Sequence, residues 1–157
     1  MKIKNWVLGA AFCIASVSGV SADTSVGFGA SQVGGDGIDF TGVGLDVSGK
    51  FSDNFGYAVS GQIGGSDEGV DLDYFLAAKL RGGLSVGEGF LFLTAGYADV
   101  SLSGFGLDVS ESDFLYGIGF ESFFGPDNKW GLGLEFNTGA GDFDEVDQFS
   151  AMIKYRF

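Results

Sequence analysis

Apolar and polar side chains alternate along the last nine residues of the chain, residues 149–157. The odd positions are apolar or aromatic: Phe149, Ala151, Ile153, Tyr155 and Phe157. The even positions are mostly polar or charged, among them Ser150, Lys154 and Arg156. Because successive side chains of a β-strand point to opposite faces, this segment predicts a strand with one apolar and one polar face. The apolar face fits either a soluble core or a membrane, so one strand leaves the fold class open.

The same alternation recurs in seven earlier segments. They are residues 25–32, 40–51, 55–64, 72–85, 90–101, 113–124 and 129–138. In the fifth of them four apolar residues run together, and we assign Leu91, Leu93, Ala95 and Tyr97 to the apolar face. Beyond residue 22, no apolar run reaches the length of a membrane helix and no window keeps a helical repeat. The pattern therefore predicts an all-β fold of eight strands.

Tight and longer connections alternate between these segments. Those after the second, fourth and sixth segments are tight, whereas the others are longer, rich in glycine and acidic. An even number of antiparallel strands with short turns at one end and longer loops at the other is typical of outer-membrane barrels. Closure also removes the unpaired edges of a sheet. We therefore predict an eight-stranded antiparallel up-and-down transmembrane β-barrel over residues 23–157, against the alternative of a soluble sandwich with an unusually aromatic apolar face.

The positions of the charged residues give a stronger test of this prediction. Five of the six basic residues beyond residue 22 fall on the polar phase of their strands, and the sixth, Lys129, lies beside a turn. A lysine or arginine that faced lipid at mid-membrane would cost about 2–4 kcal/mol. Charges inside a narrow barrel must be paired or solvated. We therefore predict an internal ion-pair network of eight residues: Asp46, Lys50, Lys79, Arg81, Glu121, Glu135, Lys154 and Arg156.

The first 22 residues have the organisation of a secretory signal peptide. Lys2 and Lys4 precede an apolar stretch, residues 6–17, which is too short to span a membrane, and small residues end with Ala22. Cleavage after Ala22 would remove Cys13, the single cysteine, and leave a chain without thiols or disulfides. Loss of the two lysines would change the formal net charge from −13 to −15, because all acidic residues lie downstream.

Composition excludes several classes of function. Nucleic acid binding needs a cationic footprint, which a chain of this charge lacks. The sequence contains no histidine, and thus lacks the usual general base for nucleophilic catalysis. A serine–lysine pair would need Lys79 or Lys154 free, whereas ion pairing with Glu121 or Glu135 is the stronger expectation. We therefore predict no enzymatic activity and no cofactor.

Acidic residues are concentrated in the four longer connections. They are Asp36 and Asp39, then Asp67, Glu68 and Asp71, then Asp108 and Glu111, and finally Asp142, Asp144, Glu145 and Asp147. Oxygen ligands suit Ca²⁺ or Mg²⁺, so the last group is a candidate for weak cation contacts. Its spacing matches no known calcium loop, and no metal site is predicted. The alternative is a solvated acidic surface that keeps this end soluble.

Many of the predicted inward positions are glycines. They are Gly27, Gly29, Gly42, Gly44, Gly56, Gly117, Gly119, Gly131 and Gly133. The interior of an eight-stranded barrel is just wide enough for side chains to fill. Missing side chains would open a water-filled passage, or they would make room for the long charged side chains of the network. The sequence leaves both interpretations open.

The chain resembles the small eight-stranded outer-membrane barrels of Gram-negative bacteria: the OmpA transmembrane domain, OmpX and the opacity-type surface proteins. The resemblance rests on the signal peptide, the strand count, the alternation of turns and loops, and the aromatic last strand. It implies an outer-membrane protein, a monomer in contact with lipid and lipopolysaccharide. It also implies insertion by the barrel assembly machinery, for which Tyr155 and Phe157 would form the C-terminal signal.

This resemblance implies a structural or surface-interaction role, with acidic loops outside the cell. The alternative is a small porin-like channel for ions or small solutes. The loops are shorter and more acidic than those of adhesive members, which argues against an adhesin.

Overall fold

The computed structural model describes residues 23–35, 37–140 and 146–157. The predicted signal peptide with Cys13 lies outside the described residues, as do Asp36, Asp142, Asp144 and Glu145. The described residues form eight long strands: β1 (Thr24–Gly35), β2 (Ile38–Lys50), β3 (Phe55–Ile63), β4 (Val70–Val86), β5 (Gly89–Gly104), β6 (Leu107–Phe124), β7 (Trp130–Gly139) and β8 (Asp147–Arg156). Within these residues there is no helix with the length and hydrophobicity needed to cross a membrane.

The eight strands close into a barrel. Each strand pairs antiparallel with its neighbours in sequence, and β1 also pairs with β8, with Val26 opposite Tyr155. A two-residue strand, Ser66–Asp67, adds a short hairpin to the start of β4. The predicted fold class, an eight-stranded antiparallel up-and-down barrel, is therefore confirmed.

The apolar phase of every strand faces outward. Leu80 and Leu93, for example, are each 65% exposed, although both are leucines. In β5, where the phase was hardest to assign, Leu91 and Leu93 are exposed whereas Phe90 and Phe92 are buried, which confirms the assignment. The barrel thus has an apolar exterior and a largely polar interior, the inverse of a soluble domain.

The two ends of the barrel differ. One end, which we call the turn end, carries the connections at residues 51–54, 87–88 and 125–129 together with Asp23 and Phe157. The opposite end, which we call the loop end, has shorter connections than predicted. Only two residues separate β1 from β2, and only Phe105 and Gly106 separate β5 from β6.

The prediction of long loops was therefore wrong for the connection between β1 and β2 and for the one between β5 and β6. The strands continue beyond the predicted segments, and Asp108 and Glu111 lie on β6 rather than in a loop. The reason is local: Phe105 and Gly106 both have positive φ, +50° and +79°, which lets a two-residue turn join strands with the right-handed twist.

Candidate functional site

Six charged side chains meet in the middle of the barrel interior. They project inward from five strands, and each is at most 6% exposed. We call this set the central cluster: Asp46, Lys79, Arg81, Glu121, Glu135 and Lys154. Three cations face three carboxylates, so the cluster is neutral in formal charge. Balanced pairing is what removal of charged groups from water requires.

Every carboxylate in the cluster contacts two cations. Arg81 reaches all three: its Nη2 lies 2.6 Å from Glu135 Oε2 and 3.5 Å from Asp46 Oδ2, and its Nη1 lies 3.3 Å from Glu121 Oε2. Lys154 Nζ bridges Asp46 Oδ1 and Glu121 Oε2, at 2.7 Å each. Lys79 pairs with Glu135. Arg81 is therefore the hub of the cluster.

Neutral polar side chains complete the hydrogen bonding around the cluster. Ser48 donates to Asp46 Oδ1 at 3.0 Å and accepts from Lys154 Nζ at 2.7 Å. Asn137 donates from Nδ2 to Glu135 Oε1 at 2.9 Å and accepts the hydroxyl hydrogen of Thr94 at 2.7 Å. The sequence interpretation missed Ser48, Thr94 and Asn137 because it considered only charges, although all three lie on the inward phase.

The structure separates Lys50 and Arg156 from the central cluster, so their assignment to the network is corrected. Both residues end their strands at the turn end, where the interior is aromatic rather than acidic. Lys50 Nζ lies 3.9 Å from the centre of the Phe90 ring. The Arg156 guanidinium lies 3.6 Å from the Phe123 ring, and its Nε is 3.3 Å from Asp23 Oδ1. Lys50 thus makes a cation–π contact instead of the predicted ion pair, whereas Arg156 combines a cation–π contact with an ion pair to Asp23 outside the central cluster.

The interior towards the loop end holds a cluster of apolar side chains, beside the buried Gln62 and Gln148. Eight packed residues, each at most 8% exposed, form what we call the apolar layer: Val33, Phe40, Leu72, Phe75, Ala77, Ala98, Val100 and Leu115. The sequence did contain a signal for this layer, since the inward phase changes from charged to apolar at Phe75 on β4 and at Leu115 on β6. The interior therefore has two distinct layers along its axis, one charged and one apolar.

Neighbouring side chains occupy the space that the inward glycines leave. A Cβ added to Gly27 would lie 3.3 Å from the Cγ and Cε of Lys154, and one added to Gly133 would lie 3.2 Å from its Cδ. A Cβ on Gly119 would lie 2.5 Å from the Phe92 ring. The remaining cavity at the central cluster measures about 10 Å³, roughly the space that one water molecule needs. The glycines thus make room for long neighbours.

No protein-family profile matches the sequence, and no curated protein matches it. Solved structures do match. The N-terminal β-barrel domain of Pseudomonas aeruginosa OprF superposes with a TM-score of 0.62 at 12% identity, covering 85% of this chain and 97% of that one. Neisserial surface protein A superposes with a TM-score of 0.59 at 12% identity, and the match covers 86% of this chain and 96% of that one. Ail of Yersinia pestis, in complex with the heparin analogue sucrose octasulfate, gives 0.50 at 21% identity, covering 86% and 97%.

The chain has the fold of the small eight-stranded outer-membrane β-barrels. At these identities the match is one of fold alone.

In this outer-membrane barrel fold, the predicted C-terminal signal residues lie on the last strand and pack together. Tyr155 contacts Trp130 and Phe157 edge to face, with ring centroids 5.1 and 5.3 Å apart. β8 pairs with both β1 and β7 and so closes the barrel. Whether Tyr155 and Phe157 are read during assembly stays a prediction.

The predicted cation contacts fall mostly outside the described residues. Of the four acids, only Asp147 is described, and it lies exposed at the start of β8. Within the described part of the chain, no group of three or more acidic, histidine or cysteine side chains is arranged to hold a metal ion.

Proposed function

We propose that this protein is an integral outer-membrane β-barrel with a closed interior and a structural or surface-interaction role. One observation carries the proposal: the interior is filled along its length by a charge-neutral cluster and an apolar layer. A conducting barrel needs a continuous wet path. Neither the cavity of about 10 Å³ at the central cluster nor the packed apolar layer supports one, so the porin-like alternative receives no support.

The outer surface supports the placement in a membrane. Large exposed apolar side chains surround the barrel, among them Phe28 at 59% and Ile153 at 58% exposure. Soluble monomers rarely expose contiguous apolar surface of this extent. Aromatic residues flank the belt, with Trp130 near the turn end and Tyr97 packed on Phe114 towards the loop end, as in the girdles of membrane barrels.

Orientation and partners follow from this placement. Short turns of outer-membrane barrels face the periplasm, so we assign the turn end to the periplasm and the acidic loop end to the cell exterior. Contact with outer-membrane lipid and lipopolysaccharide, insertion by the barrel assembly machinery and a monomeric state belong to the same proposal. The proposal also includes removal of residues 1–22 as a signal peptide and the absence of enzymatic activity.

The experiment that tests the closed interior is a conductance measurement. Residues 23–157 are refolded, shown to be folded by heat-modifiable gel mobility, and reconstituted in a planar bilayer. We expect no discrete current steps. Steps that disappear when Gly117 or Gly131 is changed to leucine would contradict the proposal and establish a pore through the interior.

A further inference from the structure

Two buried polar side chains beside the cavity at the central cluster have unsatisfied hydrogen-bonding groups. Arg81 Nε and Ser60 Oγ have no hydrogen-bond partner in the described part of the chain, and both residues line the cavity. They are only 5% and 6% exposed. Buried polar groups of native proteins are almost always satisfied, either by protein atoms or by ordered water. These two atoms therefore point to a ligand in the cavity.

Asp46 supplies a third polar group at the same place. Its Oδ1 has close partners, Lys154 Nζ at 2.7 Å and Ser48 Oγ at 3.0 Å, whereas its Oδ2 lies 3.5 Å from Arg81 Nη2. Charge-assisted N–H···O bonds are usually about 2.7–2.9 Å long, so Oδ2 keeps capacity for a closer partner. Asp46 lies opposite Ser60 in the β2–β3 register and also lines the cavity. Three consecutive strands, β2, β3 and β4, thus each bring one polar group to it.

An aromatic ring limits the direction from which a ligand can reach Arg81. The Phe92 ring centre lies 4.3 Å from Arg81 Cζ, so the ring covers one face of the guanidinium group. The N–H groups of a guanidinium point outward in its own plane, and Nε–H therefore donates beside the ring and not into it. Phe92 and Met152 form an apolar part of the cavity lining. A ligand there is held by hydrogen bonds on one side and confined by apolar groups on the other.

The size and the charge of the cavity select the ligand. Its volume of about 10 Å³ is roughly the space that one water molecule needs. The three cations of the central cluster already balance its three carboxylates, so an added ion would be a buried charge without a counterion. A water molecule can accept from Arg81 Nε–H, donate to Asp46 Oδ2 and bond with the Ser60 hydroxyl. Three such bonds are typical of buried water.

We propose that the central cluster binds a single water molecule, which bridges Arg81 Nε, Asp46 Oδ2 and Ser60 Oγ. The inference rests on the proposed function, because a closed interior is what separates this molecule from bulk water. It makes the water a fixed member of the cluster that completes the hydrogen bonding of Arg81, the hub.

The test is NMR spectroscopy of the refolded chain in phosphatidylcholine nanodiscs, with nitrogen-15-labelled arginine. The chain has two arginines, Arg81 and Arg156, so two Nε–H signals are expected, and Arg156→Lys assigns them. Rotating-frame cross-relaxation with water distinguishes a bound molecule from chemical exchange with bulk water, because the two cross-peaks have opposite sign. We expect the dipolar sign for Arg81 Nε–H. Arg156, whose side chain is 24% exposed, is the reference for access to bulk water.

A matched pair of variants locates the water on the chain. Ser60→Ala and Ser60→Val both remove the hydroxyl group, but only valine adds volume to the cavity lining. We expect Ser60→Ala to keep the Arg81 cross-peak, since two of the three partners remain, and Ser60→Val to lose it. Because both variants lack the hydroxyl, magnetisation transfer through Ser60 cannot explain the difference. Heat-modifiable mobility checks that both variants are folded.

A count of the bound water completes the test. Oxygen-17 relaxation dispersion measures how many water molecules exchange slowly with the bulk, and we expect one fewer in Ser60→Val than in Ser60→Ala. Equal counts would overturn the inference, as would a wild-type Arg81 signal without a cross-peak or a cross-peak that persists in Ser60→Val. These results leave the closed interior intact. An exchange-type cross-peak at Arg81, or a difference of several waters, would instead contradict the closed interior together with the inference.

Discussion

The barrel interior is filled by two regions that use opposite chemistry. The central cluster holds three carboxylates and three cations, with Arg81 in contact with all three carboxylates. The apolar layer, only a few residues farther along the same strands, contains no charge; Lys79 and Phe75 both lie on β4. Both regions fill the interior, but they depend on different conditions: the central cluster needs complete pairing of its charges, and the apolar layer needs complete packing of its side chains.

The two regions should therefore lose stability in different ways. A buried ion pair adds little net stability over an apolar replacement, but removal of one partner leaves a costly uncompensated charge. An apolar layer has no such threshold, because the loss of stability grows with the side-chain volume that is removed. The central cluster should therefore respond to single changes more sharply than to paired ones, whereas the apolar layer should respond in proportion to size.

The largest effect is expected for Arg81→Met. The substitution leaves three buried carboxylates with only Lys79 and Lys154, so we expect the free energy of unfolding to fall by about 3–5 kcal/mol. Denaturant titration of the refolded chain in lipid vesicles measures it. Lys50→Met is the matched control, since Lys50 loses only a contact with Phe90, worth about 0.5–1 kcal/mol. Equal losses for the two variants would show that the cluster is not an energetic unit.

A somewhat smaller loss is expected in the apolar layer. Leu115→Ala removes a side chain that is 2% exposed, and we expect a loss of about 2–5 kcal/mol from the lost burial and the cavity left behind. Leu132→Ala provides the control, because Leu132 faces outward and is 53% exposed. If a denaturant titration shows that both substitutions lower the free energy of unfolding equally, the apolar layer would not be a packed plug.

Lys79 and Glu135 should behave as one energetic unit within the central cluster. Lys79 contacts Glu135, which also holds Arg81 at 2.6 Å and Asn137 at 2.9 Å. We expect Lys79→Met and Glu135→Gln together to destabilise by less than the sum of the two single changes, with a coupling of about 0.5–3 kcal/mol. The double-mutant cycle is measured by denaturant unfolding. Simple additivity would mean that this buried pair acts as two independent residues.

Strand phase could be predicted from the sequence because it depends on local alternation. Lys79 and Arg81 both fall on the inward phase of β4 from the pattern alone, and so does Glu135 on β7. Phase states which face a residue occupies, but not its height in the barrel. The stagger between strands sets height, since it places Lys154 opposite Gly27 on one side and Gly131 on the other. This is why Lys50 and Arg156 were grouped with residues that they do not meet.

The extension of the β5–β6 hairpin beyond the predicted strands was not predictable for a different reason. Beyond Tyr97 the β5–β6 hairpin carries serine and aspartate on its outer face, so the apolar alternation that marks a strand fades. Pairing nevertheless continues to Gly104 and Leu107, because a hairpin closed by a two-residue turn holds its register locally. The Phe105–Gly106 turn is also a weak signal, since phenylalanine at positive φ is uncommon.

The smallest and most discriminating effect concerns two glycines that face opposite ways. Gly27 points inward, where a Cβ would lie 3.3 Å from Lys154 and 3.4 Å from Asp46, whereas Gly61 points outward with its nearest contact at 3.4 Å and the next at 3.7 Å. We expect Gly27→Ala to lose about 1 kcal/mol through crowding of the central cluster. Gly61→Ala should gain about 0.5–1 kcal/mol, because alanine loses less conformational freedom than glycine in a strand. Denaturant midpoints of the two variants measure the pair. A gain in stability at both positions would mean that Gly27 borders open space. The central cluster would then be hydrated rather than closed.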